Sequence, residues 1–389
     1  MVLGWLRPHR HPPVDHGLAP AQILLAFLAL FLLTGPFLGG CVDMVDANRD
    51  VLVYGLGLDA GEEGGVVVTL HFLSPSGASG GGSPVGSLGT GASPSVQPVT
   101  LSSGGKTFND ALEKLRFQVP GRIYLGDVWA IFFGEELTHR GLGEIMDALL
   151  RETFTLNSAY VLFTEGEAAR FLAHGPHGTS SALAALSIFD GDAARTVPLH
   201  PMTLWQLYNA VWTDYWVDWG PLVTVTPSDA KVVGHVLLRS GRWQTSLPIG
   251  EDGTLLTSIR PGGRAQLTLP LAGGLGSFRF AALTTASRVR GREVEVTIRG
   301  SASLVEWRGE THPPLQELEL LLSDALRDRM EGFLKRMYRE QKIDVLNLAE
   351  KVRSRSPGGV LPGDLSQTLA DFTFVVIPKV TLSDTARSH

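Results

Sequence analysis

One cysteine stands in 389 residues, directly behind an apolar run. Arg7, His9, Arg10 and His11 form a basic leader, and Ile23 to Leu33 is apolar without interruption. Thr34-Gly35-Pro36-Phe37-Leu38-Gly39-Gly40 then leads into Cys41. The lone thiol excludes an intrachain disulfide framework and any cysteine-clustered zinc or iron–sulfur site, so each core has to close by burial of apolar side chains alone. A basic leader, a short apolar stretch and small residues before a cut have the grammar of a secretory signal, which sets residues 1–40 apart from the folding chain.

The small pair Gly39-Gly40 between Leu38 and Cys41 resembles the lipobox of bacterial lipoproteins. That resemblance implies cleavage after Gly40 and a diacylglyceryl group on the Cys41 thiol. Two other readings stay open: Ala19 to Leu38 is long enough for an uncleaved transmembrane anchor, though Gln22, Gly35 and Pro36 weaken it, and Cys41 is otherwise an incidental small residue. One acyl chain binds a membrane only marginally, at about 0.8 kcal/mol per buried methylene, so durable attachment needs the two chains of a glyceride. Removing residues 1–40 takes away Arg7, Arg10 and Asp15, and the formal charge goes from −6 to −7. Such a balance does not favour lying flat on anionic headgroups, and it argues against nucleic acid as a partner. Past Cys41 no stretch is apolar for long enough to span a bilayer.

The rest of the chain alternates strand and helix signals, which predicts a mixed α+β and α/β fold of about three domains with packed helices. Strands are expected over Val51 to Leu58 and Gly65 to Leu73, joined by a hairpin turn. In 74–98, 18 of 25 residues are Gly, Ser or Pro, the composition of a flexible insertion. A helix follows Gly105-Lys106-Thr107, with Phe108, Ala111, Leu112 and Leu115 on one face. Ile123 to Phe133 reads as a strand, Leu137 to Leu150 as a helix, Ser158 to Phe163 as a strand, and Glu165 to Leu172 as a short helix. Thr203 to Trp212 reads as helical, and Trp205, Trp212, Trp216 and Trp219 crowd one short stretch, a ligand cage or partner surface if exposed and core packing if not. Lys231 to Leu238, Arg242 to Ile249 and Thr254 to Ile259 have the pattern of a small meander.

The C-terminal part reads β-β-β-α-β, a helix laid on an antiparallel sheet. Its strands are Arg264 to Leu269, Ser277 to Thr284, Glu293 to Val305 and Phe372 to Ile377. Leu318, Leu322, Leu326, Met330, Phe333 and Met337 form one apolar stripe on the long helix that follows Pro313-Pro314. The expected units are 1–40 as the signal, 41–195 as an N-terminal α/β domain with the insertion at 74–104, 196–260 as a Trp-rich helical and meander region, and 261–382 as the C-terminal domain.

The chain offers several chemical motifs, each in the wrong setting. Gly55-Leu56-Gly57-Leu58-Asp59-Ala60 has the spacing of a dinucleotide loop, but a turn and a second strand follow where the helix N-terminus is needed. Gly105-Lys106-Thr107 has the end of a phosphate-binding loop without its opening glycine, since position 100 is Thr100. Gly77-Ala78-Ser79-Gly80-Gly81 fits a nucleophile elbow but sits in the insertion. His174 and His177 flank Gly175-Pro176, a poor ligand geometry. No enzyme constellation, metal site or cofactor site is expected.

The order of several weaker motifs is more specific. After the lipobox cysteine come a strand ending Gly55-Leu56-Gly57-Leu58-Asp59, the Gly105-Lys106-Thr107 helix start with Ala111-Leu112, and Tyr124-Leu125-Gly126. Gly134-Glu135-Glu136-Leu137, Gly141-Leu142 and Arg151 follow, and late in the chain Lys342-Ile343-Asp344-Val345-Leu346. Over roughly Cys41 to Pro378 this resembles the Ger(x)C family, the lipoprotein C subunit of spore germinant receptors in endospore-forming bacteria. The resemblance implies a three-domain α/β arrangement and a non-catalytic role beside the integral-membrane A and B subunits of the receptor, on the extracytoplasmic face of the spore inner membrane. It carries no ligand residues across, so Cys41 and the Gly40–Cys41 junction are the only sites named. Two other classes stay in view: an extracytoplasmic solute-binding lipoprotein, with the tryptophan cluster lining a cleft, and an anchored hydrolase.

Overall fold

The computed structural model describes residues 50–75, 96–119, 121–151, 158–174, 189, 199–213, 216–226, 229–260, 263–354 and 369–383. Cys41, the leader before it, the Gly77–Gly81 motif and His177 lie outside the described residues.

Two β-sheets carry the fold, a mixed α/β architecture with packed helices. β1 (Asp50–Ala60) and β2 (Val66–Pro75) are an antiparallel pair, as predicted. Their turn places Glu63 at φ 49° and Gly64 at φ 84°, a backbone region that glycine enters without a Cβ penalty. β3 (Val96–Gly105) extends β2 antiparallel, from Val66 opposite Gly105 to Pro75 opposite Val96. Residues 96–104, read from composition as the tail of the insertion, are therefore a strand. Its backbone gains a full ladder from β2, which composition does not register.

α1 (Phe108–Arg116) buries Phe108, Ala111, Leu112 and Leu115. The single strand expected over 123–133 is two, β4 (Arg122–Tyr124) and β5 (Ala130–Gly134). Likewise the helix expected over 137–150 is two, α2 (Glu135–Arg140) and α3 (Gly143–Arg151), separated by Gly141 at φ 108°. Then come β6 (Tyr160–Thr164), α4 (Ala168–Ala173), β7 (Met202–Thr203), α5 (Leu204–Val211), β8 (Val217–Thr226), β9 (Asp229–Arg239) and β10 (Arg242–Pro248). The sheet order is β10-β9-β8-β6-β5-β1-β2-β3, with β4 beside β1 and β7 beside β6. β1, β5, β6 and β8 run parallel. Alternation divides the two faces: Ile131, Phe133, Val161 and Phe163 pack under α1, α2, α3 and α5, whereas Ala130, Phe132 and Leu162 pack under α4.

Thr254 to Ile259 is not the third strand of a meander. It belongs to α6 (Glu251–Ile259), whose residues from Gly253 to Ile259 are all buried. A short helix enclosed on every side has no polar face, so its sequence shows no 3.6-residue period and its Thr-Ser-Ile end imitates a strand. The second sheet follows as β11 (Gly263–Leu271), β12 (Gly274–Arg290), β13 (Glu293–Gly309) and, after α7 (Leu315–Lys335) and α8 (Leu348–Arg353), β14 (Thr373–Ser383). The order is β11-β12-β13-β14. All six residues of the predicted apolar stripe on α7 and its π-helical extension (Arg336–Glu340) are buried. One detail differs: β14 pairs with β13 in parallel, so this sheet is mixed. A crossover through helices returns the chain to the end where β13 began, and the next strand then runs the same way.

Candidate interaction surfaces and the cleft between the sheets

The chemical motifs that fall on described residues have structural tasks. The Gly55–Ala60 run lies inside β1, and Gly57 is a packing requirement: a Cβ there would stand 2.8 Å from Leu172 Cδ1 and 3.1 Å from Thr69 Cβ. Asp59 is buried and caps α4, accepting the Ala168 N–H at 2.7 Å and the Ala169 N–H at 2.9 Å. Burial pushes its carboxyl up, against the pull of those two bonds. Asp59→Asn offers one acceptor oxygen for two donors, and we expect it to cost about 1–2 kcal/mol in urea denaturation without changing the fold. Thr107 accepts the Asp110 N–H at 3.2 Å, and Asp110 accepts the Lys106 N–H at 2.9 Å. The Gly-Lys-Thr triplet is thus the N-cap of α1, not a phosphate cradle. His174 Nδ1 lies 2.8 Å from the Arg170 carbonyl. Among the described residues no group of three or more His, Cys, Asp or Glu is placed to hold a metal ion.

A cleft of about 740 Å³ opens between the first sheet and the second, lined mainly by apolar surface. Trp216, Val217 and Trp219 line it from the first, Ile259 and Arg260 from the end of α6, and Leu346 and Asn347 from the approach to α8. Asp218 and Arg260 form an ion pair at its wall, and the Arg260 guanidinium carbon sits 4.0 Å from the Trp219 ring centroid. Burial pulls Arg260 down to about 9, which still leaves it charged at neutral pH. His200 faces the same cleft, and burial, Arg260 and His235 pull its imidazole down to about 4. Burial does the same to His71, in the first sheet.

Both imidazoles are therefore neutral in the folded protein at pH 7, while the unfolded chain takes up protons near pH 6.5. Their contribution is complete above that value and is lost as pH falls toward about 4. The unfolding free energy from urea denaturation should drop over this window, by on the order of 1–2 kcal/mol per histidine after allowance for solvent screening. His71→Gln should flatten the slope.

The late motif Lys342-Ile343-Asp344-Val345-Leu346 is a clasp. Asp344 is buried and accepts the Leu348 N–H at 2.8 Å and the Ala349 N–H at 2.7 Å, capping α8. It also accepts the hydroxyl of Tyr338, whose oxygen takes the Leu346 N–H at 3.0 Å. Asn347, at φ 50°, accepts the Val217 N–H at 2.8 Å and donates to the Val217 carbonyl at 3.2 Å. Arg239 donates to the Lys342 carbonyl at 3.0 Å. One tight segment thereby ties the second sheet's helices to β8 and β9 of the first.

The tryptophan cluster divides. Trp219 is buried in the core, whereas Trp205, Trp212 and Trp216 are exposed. On α5, Trp205 stacks on Tyr208 at 5.6 Å, and Tyr208 meets Trp212 edge-on at 6.3 Å. Core packing therefore accounts for one of the four.

Residues 43–216 match the family model described as the spore germination protein N-terminal domain. Those residues form a spore germination protein N-terminal domain of the GerAC family. The first sheet through β7, with α1 to α5, lies inside the matched span. No curated protein matches the chain. A solved structure described as the crystal structure of the GerBC protein is similar at a TM-score of 0.48 and 15% identity, over 85% of this chain and 97% of that one. Among the described residues no helix is long and apolar enough to cross a membrane.

Proposed function

We propose that the whole chain is a Ger(x)C-family protein, a lipid-anchored, non-catalytic subunit of a nutrient germinant receptor. A diacylglyceryl group on Cys41 holds it to the extracytoplasmic face of the spore inner membrane, and it assembles there with the integral-membrane A and B subunits. The observation that carries this reading is where the family match begins: residue 43 follows directly on the Gly39-Gly40-Cys41 junction. The buried ionisable groups also support it. Asp59, Asp218, Arg260 and Asp344 are each engaged in a cap or an ion pair, which leaves none of them disposed as an acid, base or nucleophile.

Replacing Cys41 by alanine should move most of the protein from the membrane pellet to the soluble fraction. Unchanged retention would point instead to an uncleaved transmembrane anchor at 19–38. Detergent extracts of spore membranes should yield polytopic partners on affinity capture of the full chain, and their absence in several detergents would defeat the receptor reading.

The solute-binding alternative has one observation in its favour, the cleft of about 740 Å³ flanked by Trp216 and Arg260. Calorimetric titration with small nutrients decides it: saturable tight binding would favour a solute carrier, and no heat would remove it.

A further inference from the structure

The first sheet leaves large apolar side chains bare at one of its ends. Phe117 is 89% exposed, Trp205 52%, Trp129 42% and Leu52 37%. Strand registers bring these scattered positions together. Gly55 stands level with Ala130, Ala130 with Tyr160, and Phe163 with Leu222. Leu52 lies just outside that level, at the start of β1. Trp129 donates its backbone N–H to the Tyr54 carbonyl immediately before β5, with the two rings 4.9 Å apart. α5 begins where the Leu204 N–H meets the Ala159 carbonyl, directly ahead of β6, and its next residue is Trp205. Phe117 closes α1 five residues ahead of Arg122, which pairs with Asp50. The end of the sheet at which β1, β5 and β6 start thus carries four exposed apolar side chains, two of them tryptophan.

The chain comes into the sheet at this same end. Asp50 opens β1, and residues 41–49 are all that separate it from Cys41. Nine residues reach at most about 30 Å when extended. Local charges are satisfied within the protein: Arg122 holds Asp50 through two 2.9 Å hydrogen bonds, and Arg116 pairs with Glu113. With a net charge of −6, nothing here favours anionic headgroups by electrostatics. Tryptophan is suited to a different attachment, since its ring partitions into the apolar edge of the bilayer while its N–H stays in the wet headgroup layer.

We propose that this end of the sheet rests on the lipid surface, with Trp129 and Trp205 at headgroup depth. The inference rests on Cys41 being the lipid-bearing terminus, which keeps this end within about 30 Å of the bilayer. It adds an orientation to the anchor: the parallel strands stand across the membrane plane, and the β1–β2 turn at Gly61–Gly65 points away from it. Contact by aromatic rings also makes the attachment insensitive to headgroup charge.

The test uses the full chain, processed in cells and reconstituted into phosphatidylcholine vesicles with or without lipids brominated near the headgroup. Tryptophan emission of the vesicle-bound protein should be quenched by the brominated lipid, equally when phosphatidylglycerol is included. The double variant W129L/W205L should lose most of that quenching while keeping its urea midpoint, because both side chains are at the surface. Protein that floats with the vesicles but is not quenched would overturn this orientation and leave the anchor standing. Protein that does not float would overturn both. Shielding of these tryptophans from aqueous iodide only when a polytopic partner is co-reconstituted, without lipid quenching, would reassign the surface to protein.

Discussion

Asp344→Ala should be among the most destabilising single substitutions in the chain, at about 3–5 kcal/mol in urea denaturation at pH 7. It strips an acceptor from the buried Tyr338 hydroxyl and from the Leu348 and Ala349 N–H groups at once. Replacing it with asparagine should cost less, since one oxygen remains, and Tyr338→Phe less again. The Asn347 bridge to Val217 depends on the same tight segment, so loss of the cap should also loosen the second sheet's helices from β8. Hydrogen exchange at Val217 and Leu348 reports that directly. Acid does not mimic the mutation. Burial pushes the Asp344 carboxyl up, so the folded form holds its proton more tightly than the unfolded chain, and lowering the pH costs no stability through this group. The loss expected in mild acid belongs to His71 and His200.

The second large effect is expected at the cleft wall. Asp218→Ala would leave Arg260 charged, largely enclosed and pressed on Trp219, at a cost of about 3–5 kcal/mol. Removing both charges should be far milder. In D218L/R260M no uncompensated ion remains, and apolar side chains fill the same wall. A double-mutant cycle by urea denaturation at pH 7, with Trp219 emission as a local probe, separates the two cases. Equal losses in the single and the double variant would show that the pair contributes packing alone.

The elements that could be read from the sequence are those with one wet face. The stripe on α7 from Leu318 to Met337 and the alternation of Val294, Val296 and Ile298 in β13 both record the direction of a core, and both are buried as expected. Where burial is total or the contribution is backbone alone, the record is erased. α6, enclosed throughout, imitates a strand, and β3, supported by its ladder to β2, hides in a low-complexity stretch. β8 opens Val217-Asp218-Trp219-Gly220-Pro221, where Gly and Pro interrupt the strand pattern ahead of Leu222, Val223 and Val225. The cleft and the clasp were not legible, for they join residues far apart along the chain: Arg260 with Asp218, and Asn347 with Val217, 130 positions away.

By itself the sequence determined what depends on neighbouring residues: the absence of any disulfide framework, the helix start behind Gly105-Lys106-Thr107 and the periodic faces. Those follow from local spacing and composition, where each residue's partner is a few positions off. Only the tertiary structure decided what the distinctive side chains are for. Asp59 caps a helix 109 positions away, one tryptophan of four enters the core, and Trp205 comes together with Trp129 where β5 and β6 begin. Strand pairing sets those distances, and the free energy of long-range contact has no signature in the spacing of residues along a chain.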